Sequence, residues 1–283
     1  METRRPLGLL LITPLGLVLL AVFVAPILMM LPTSFHHYAA GGAAAPGWTL
    51  ENYTQIATDP YFRAVLGRTF TMGALVTLVC LVVGYPLAYV LARSTGAARS
   101  WLTVLVVFPL LLNLVVRSFG WMSLLANHGL LNNLLMAIGA IDAPLHLMFN
   151  LTGLIIGLTH IYLPFMVLVL VAALQALPKD AEAASATLGA GPMKTFFLVT
   201  LPLTAPGMFA GSVLVFVLTI SALVTPRLLG GPAYKVMATV IYDEFLSDLD
   251  WPSGAALAFV LTLIALLIVA GAGLVTRRWT AAR

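Results

Sequence analysis

The sequence predicts an all-α integral membrane protein with six transmembrane helices and both termini in the cytoplasm. Three observations predict it. The 283 residues are 61% hydrophobic and only 8% charged, whereas a soluble domain carries about 25% charged residues. A soluble chain this apolar would expose large adhesive patches. Its apolar residues gather into six blocks, each of the roughly 20 residues that a spanning helix needs. Lysine and arginine fall unevenly between the connections, and that asymmetry orients the chain.

In chain order the blocks run at about 7–31, 69–92, 101–125, 151–174, 206–229 and 254–276, within a single transmembrane domain of residues 1–283. Pro14, Pro26, Pro86, Pro109 and Pro164 lie in or near them. Membrane helices tolerate this because neighbours can satisfy the freed carbonyls. Arg4 and Arg5 precede the first block, which is too long for a signal-peptide core and reads as an uncleaved helix. With the N-terminus inside, the cytoplasmic side holds Arg4, Arg5, Arg93, Arg99, Lys179, Lys194, Arg277, Arg278 and Arg283, while the outside holds Arg63, Arg68 and Lys235. The opposite orientation inverts this bias. The formal charge of +4 therefore has a topological reading, and no nucleic-acid partner is expected.

Outside, the stretch 32–68 contains a flexible GGAAAPGW, and GLLNNLLMAIG within 126–150 reads as a short interfacial helix. Cys80, the single cysteine, excludes an intrachain disulfide or a cysteine metal cluster. His36, His37, His128, His146 and His160 show no metal-ligand spacing. Gly189–Thr195, GAGPMKT, imitates a phosphate loop but has Met193 where a glycine must precede the lysine. No Ser-His-Asp or Cys-His pattern stands out, so no catalytic residue is assigned.

The stretch from Asp180 to Gly207, DAEAASATLGAGPMKTFFLVTLPLTAPG, is polar and carries both signs of charge. Its alanines favour a helix with a small-side-chain surface, and Gly189 can end that helix in a left-handed cap. The order resembles the cytoplasmic coupling loop of ABC-importer permeases: Glu-Ala-Ala, three residues, Gly, nine residues, a β-branched residue, one more, then Leu-Pro. From Gly189 the spacing matches through Val199, Leu201 and Pro202. Ala183 stands where the family has its glutamate, and Glu182 lies one position earlier. The displaced register predicts a mild effect of Glu182→Gln.

The rest of the chain resembles the spermidine/putrescine type of ABC-importer permease, its first permease subunit in particular. PLLLNLVVRSFGWMSLLANHGLLNNLL from Pro109, YLPFM from Tyr162, ALVTPRLLGG from Ala222 and DWPSGAAL from Asp250 follow that subunit's order. The resemblance implies a type I importer fold, a second permease of similar fold, a cytoplasmic ABC ATPase dimer that holds ATP and Mg, an extracytoplasmic solute-binding protein, and a place in the bacterial inner membrane. The chain itself would bind no cofactor. Coupling to the ATPase would fall to Glu182, Ala183, Ala184, Ser185, Gly189, Leu201 and Pro202, within a loop at about 176–205.

For the pathway or gate the candidates are Asn113, Arg117, Trp121, Tyr162, Pro164 and Arg227. Arg117 lies sixteen residues into the third block, about 24 Å from its inner end. It either turns inward to a partner or snorkels to the outer headgroups, and Arg227 faces the same choice. At the outer mouth, Asp243, Glu244, Asp248 and Asp250 with Trp251 either attract a polyamine or form a solvated face. Arginine in the pathway also suits an anionic or zwitterionic solute, and related permeases carry opines, phosphonates, thiamine or iron(III). A stand-alone secondary transporter would need intramembrane acids, and none lies well inside a block.

Overall fold

The computed structural model describes residues 13–39, 44–45 and 47–281. The start of the first apolar block, with Arg4 and Arg5, and Arg283 at the other end lie outside the described residues. Two compact units form. One takes in the described residues up to Arg63 together with Val240–Thr262. The other takes in Ala64–Thr239 and the chain from Leu263.

The elements run in chain order as follows. Helix α1 (Thr13–Thr33) is apolar throughout. Strands β1 (His37–Tyr38) and β2 (Ala44–Ala45) pair antiparallel where flexible chain was expected. Helix α2 (Glu51–Thr58) follows, then the long α3 (Pro60–Arg93), α4 (Gly96–Leu111), α5 (Leu114–Leu125) and α6 (Leu130–Ala137). Next come α7 (Leu151–Gln175), α8 (Lys179–Thr187), α9 (Pro192–Ile220), α10 (Met237–Leu246) and α11 (Trp251–Ala281). Helices α1, α3, α7, α9 and α11 are each long and apolar enough to cross a membrane. A sixth crossing requires α4 and the α5–α6 segment taken together, and these meet at a 97° bend.

Two expected spans need correction. The block at 101–125 is not one straight helix: it breaks at Leu112–Asn113. Pro109 weakens the last turn of α4, and Asn113 starts a new helix by accepting hydrogen bonds from the Val115 and Val116 amides at 2.8 and 3.4 Å. A short polar side chain offers the backbone this alternative to continuing the helix. The fifth block, expected at 206–229, becomes a helix from Pro192 to Ile220. Gly191 is extended and Pro192 occupies a first-turn position, where its missing N–H costs nothing. Pro202 and Pro206 then sit inside the helix, just beyond a π-helical turn at Phe196–Thr200 that relaxes the local hydrogen-bond ladder.

In the larger unit the core is a seam between α3, α7 and α9, built from Met72, Val76, Cys80, Leu158, Met166, Leu170 and Val215. Cys80 is a packed thiol. Small residues bring the helices close: a Cβ on Gly211 would lie 2.9 Å from Met166 Sδ, and one on Gly73 would lie 2.8 Å from Ile220 Cγ2. Close backbone approach of this kind is how helices associate where lipid is as apolar as the core. Tyr85 Oη and Thr204 Oγ1 meet across the seam at 2.8 Å, and Ser118 Oγ of α5 meets Thr225 Oγ1 beyond the end of α9 at 3.1 Å. In the smaller unit, α1 and the first half of α11 form an apolar groove of about 80 Å³ lined by Ile27, Met30, Ala255 and Phe259.

Candidate functional site: the coupling loop and the helix break

Helix α8 is short, nine residues, and polar. Asp180 and Glu182 occupy its first turn, where the helix dipole favours negative charge. It ends in a complete Schellman motif. The Ala190 amide donates to the Ser185 carbonyl at 3.1 Å, and the Gly189 amide donates to the Ala186 carbonyl at 3.0 Å. Gly189 sits at φ +82°, a conformation that costs a residue with a Cβ about 1–2 kcal/mol. The cap expected from the sequence is therefore formed.

The faces of α8 differ. Ala183, Ala184, Ala186 and Thr187 are exposed, Leu188 is 88% exposed, and Met193 beyond the cap is 70% exposed. Ser185 is buried and Glu182 is half-buried. The last two are three apart and share a face. Glu182 pairs with Arg93, the last residue of α3, and accepts from Thr200 Oγ1 at 2.7 Å. Arg93 lies over the Tyr89 ring, 4.3 Å from its centre. Ser185 and Thr195 hydroxyls bond at 3.0 Å. Beside these contacts lies a cavity of about 250 Å³ walled by Tyr89, Arg93, Glu182, Ala190, Thr195 and Phe196.

The register departure now has a structural meaning. One residue along a helix turns a side chain by about 100°. Ala183, at the family's glutamate position, faces outward, and the carboxylate one step earlier faces back to Arg93 and Thr200. Leu201 and Pro202 lie inside α9, directly after Thr200, which Glu182 touches. Sequence reasoning counted Arg93 only as a topological charge and passed over Thr200. With Arg93 and Glu182 89 positions apart in the chain, no local pattern ties them.

The second cluster surrounds the break between α4 and α5. Arg117 Nη2 donates to the Leu112 carbonyl at 3.3 Å, at the C-terminal end of α4. A cation suits that end of a helix, and a carbonyl freed inside a membrane needs a donor. Nε and Nη1 of Arg117 are buried and meet no acceptor among the described residues. Trp121 Nε1 donates to His160 Nδ1 at 3.2 Å, and Tyr162 Oη donates to the Leu218 carbonyl at 3.0 Å, joining α7 to α9. Arg117 lies close to both His160 and Tyr162 of α7. Asn113, Arg117, Trp121 and Tyr162 are thus gathered at one break, with His160, a residue given no role from sequence. Pro164 is buried one turn along α7. Arg227 stands in a separate π-helical turn at Pro226–Gly230, outside α9, and is exposed.

The acidic group lies in the smaller unit, where α10 turns into α11. Asp250 caps α11, its Oδ1 accepting from the Ser253 amide at 2.9 Å. The Asp250 amide donates to the Glu244 carbonyl and the Asp248 amide to the Asp243 carbonyl, with Leu249 at φ +55° closing the turn. Trp251 and Phe245 meet edge to face at 6.4 Å. Burial, with the charges of Asp250 and Asp248, pushes the Glu244 carboxyl up to about 7.

Residues 84–280 match the family described as "Binding-protein-dependent transport system inner membrane component". The chain belongs to this family. It is a multi-pass bacterial inner-membrane protein with an ABC-importer permease fold. It is 37% identical over 253 residues to the spermidine/putrescine transport system permease protein PotB of Escherichia coli K12, covering 89% of this chain and 91% of that protein. The PotB of Haemophilus influenzae is 34% identical over 86% of this chain and 85% of its own length. Among solved structures, a bacterial importer of the acidic polysaccharide alginate shares the fold, with a TM-score of 0.78 at 17% identity over 97% of this chain and 96% of that one.

Proposed function

We propose that this chain is one of two permease subunits of an ATP-driven, binding-protein-dependent importer of polyamines, with both termini in the cytoplasm. The observation that carries the coupling role is α8. It is a short helix closed by a Schellman cap, presenting alanines, Leu188 and Met193 outward, a surface suited to seating in a groove on an ATPase. Ala183, Ala184 and Gly189 form that surface. Glu182 and Ser185 tie it to the membrane helices, and Leu201 and Pro202 shape α9 just after its π-helical turn. ATP and Mg are held by the partner ATPase dimer, and a solute-binding protein delivers cargo from outside. The pairing of Arg93 with Glu182 puts the end of α3 on the same membrane face as α8, in keeping with the lysine and arginine asymmetry. The polyamine assignment rests on the likeness to the two PotB proteins. It is tested by reconstituting the chain with its neighbouring transport components and measuring uptake of radiolabelled spermidine and putrescine. Saturable, ATP-dependent uptake supports the reading, and its absence with an intact, ATP-hydrolysing complex refutes it.

One observation favours a different cargo. Arg117 keeps two buried guanidinium nitrogens, Nε and Nη1, without acceptors among the described residues, and a ligand bearing carboxylate or phosphate oxygens would satisfy them. Competition of labelled spermidine uptake by opines or phosphonates distinguishes the two. The acids Asp243, Glu244, Asp248 and Asp250, with Trp251, serve the polyamine reading as an outer mouth that concentrates cations.

A further inference from the structure

We propose that Glu182 is a positioning residue: a pin that transmits movement of α8 to α3 and α9, rather than a contact with the ATPase. The inference rests on the coupling role of α8. It starts from what holds α8 to the rest of its unit. The helix buries a serine and half-buries a carboxylate on its inward side, and a cavity of about 250 Å³ lies against it. Where α8 borders that open cavity, no close-packed apolar contact carries a push to its neighbours. The inward contacts of α8 that the structure shows are polar, namely Glu182 with Arg93, Glu182 with Thr200, and Ser185 with Thr195.

Glu182 is the branch point of that set. One carboxylate oxygen joins two elements distant in sequence, the last residue of α3 and the π-helical turn within α9. Its partner is held in turn. Tyr89 lies one turn before Arg93 and stacks under its guanidinium, fixing a planar fork that lysine does not reproduce. The family's glutamate position carries Ala183, exposed on the docking face. The charge has therefore left the outward face and serves the inward one. The mild effect of Glu182→Gln expected from its displaced register gives way to an uncoupling effect.

The test uses the assembled complex in proteoliposomes, with its ATPase, second permease and binding protein, measuring ATP hydrolysis and labelled spermidine uptake together. Glu182→Ala, Glu182→Gln, Arg93→Glu and the exchange pair Arg93→Glu with Glu182→Arg are compared. Each single variant is expected to keep the ATPase bound and hydrolysing. Uptake per ATP should fall by up to about fivefold, the factor that a partly exposed charge pair supports. The exchange pair should recover part of that loss. Three results would overturn the pin: a wild-type ratio in Glu182→Ala, release of the ATPase by Glu182→Ala, or an exchange pair no better than its worse single. Failure of the wild-type chain to retain any ATPase would instead sink the coupling role of α8 itself.

Discussion

Replacing Gly189 with valine should separate ATP hydrolysis from transport, and the size of the effect follows from the backbone. Gly189 sits at φ +82°, and a Cβ built there would meet no atom within 4 Å. The penalty is therefore conformational and not a clash within this chain. A left-handed residue with a Cβ costs about 1–2 kcal/mol, and a β-branched one lies at the upper end because its χ1 freedom is already restricted. About 2 kcal/mol is roughly a thirtyfold change in an equilibrium. Helix α8 has nine residues, and isolated helices shorter than about 12–15 residues are marginal in water. Losing the two cap bonds should thus unravel its last turn in most molecules. The assay is uptake and ATP hydrolysis by the reconstituted complex across Gly189→Asn, Gly189→Ala and Gly189→Val. Asparagine tolerates the left-handed region, so an effect due to the cap ranks asparagine above alanine above valine. An effect due to crowding in the partner's groove ranks alanine first and puts asparagine with valine. Normal coupling in Gly189→Val would refute the coupling-helix assignment altogether.

Other outcomes can be checked as directly. Arg117→Lys should cut transport several-fold, because the fork that serves the Leu112 carbonyl is lost; normal uptake by both Arg117→Lys and Arg117→Leu at matched membrane levels would make it a lipid-facing residue. Glu244 binds its proton more tightly in the folded chain, with its carboxyl raised from 4.5 to about 7. Its contribution to stability is therefore present below about 4.5 and is lost as the pH rises towards 7. Glu244→Gln should flatten the thermal stability of the detergent-purified protein over that window, and an unchanged pH profile would refute it. Gly207→Ala sets a new Cβ against Ala173 Cβ across α7 and α9. Overpacking of that kind costs about 1–3 kcal/mol and should lower the melting temperature. With Cys80 replaced, a cysteine at Ala190 should react only with reagents on the cytoplasmic side and one at Ala44 only from outside; the reverse pattern would overturn the orientation.

Much of this protein is written in local chemistry. Hydropathy alone marks α1, α3, α7, α9 and α11, because a membrane helix satisfies its own backbone and needs only about 20 apolar residues to do so. The short α6 and the cap at Gly189 are equally legible, since a capping glycine acts through its own φ. The coupling-loop likeness was carried by spacing from Gly189 to Pro202, and the family match over residues 84–280 agrees with it. Tertiary structure decided the rest. The break at Leu112–Asn113 divides what hydropathy reads as one span, because Asn113 and Arg117 give the freed backbone groups partners that an average over the block cannot register. The start of α9 moved back to Pro192 because a π-helical turn accommodates prolines that read as a boundary. The direction in which Glu182 points was also beyond the sequence. Its partners Arg93 and Thr200 lie 89 and 18 residues away. Only the folding together of α3, α8 and α9 brings a charge, its counter-charge and a hydroxyl to one place.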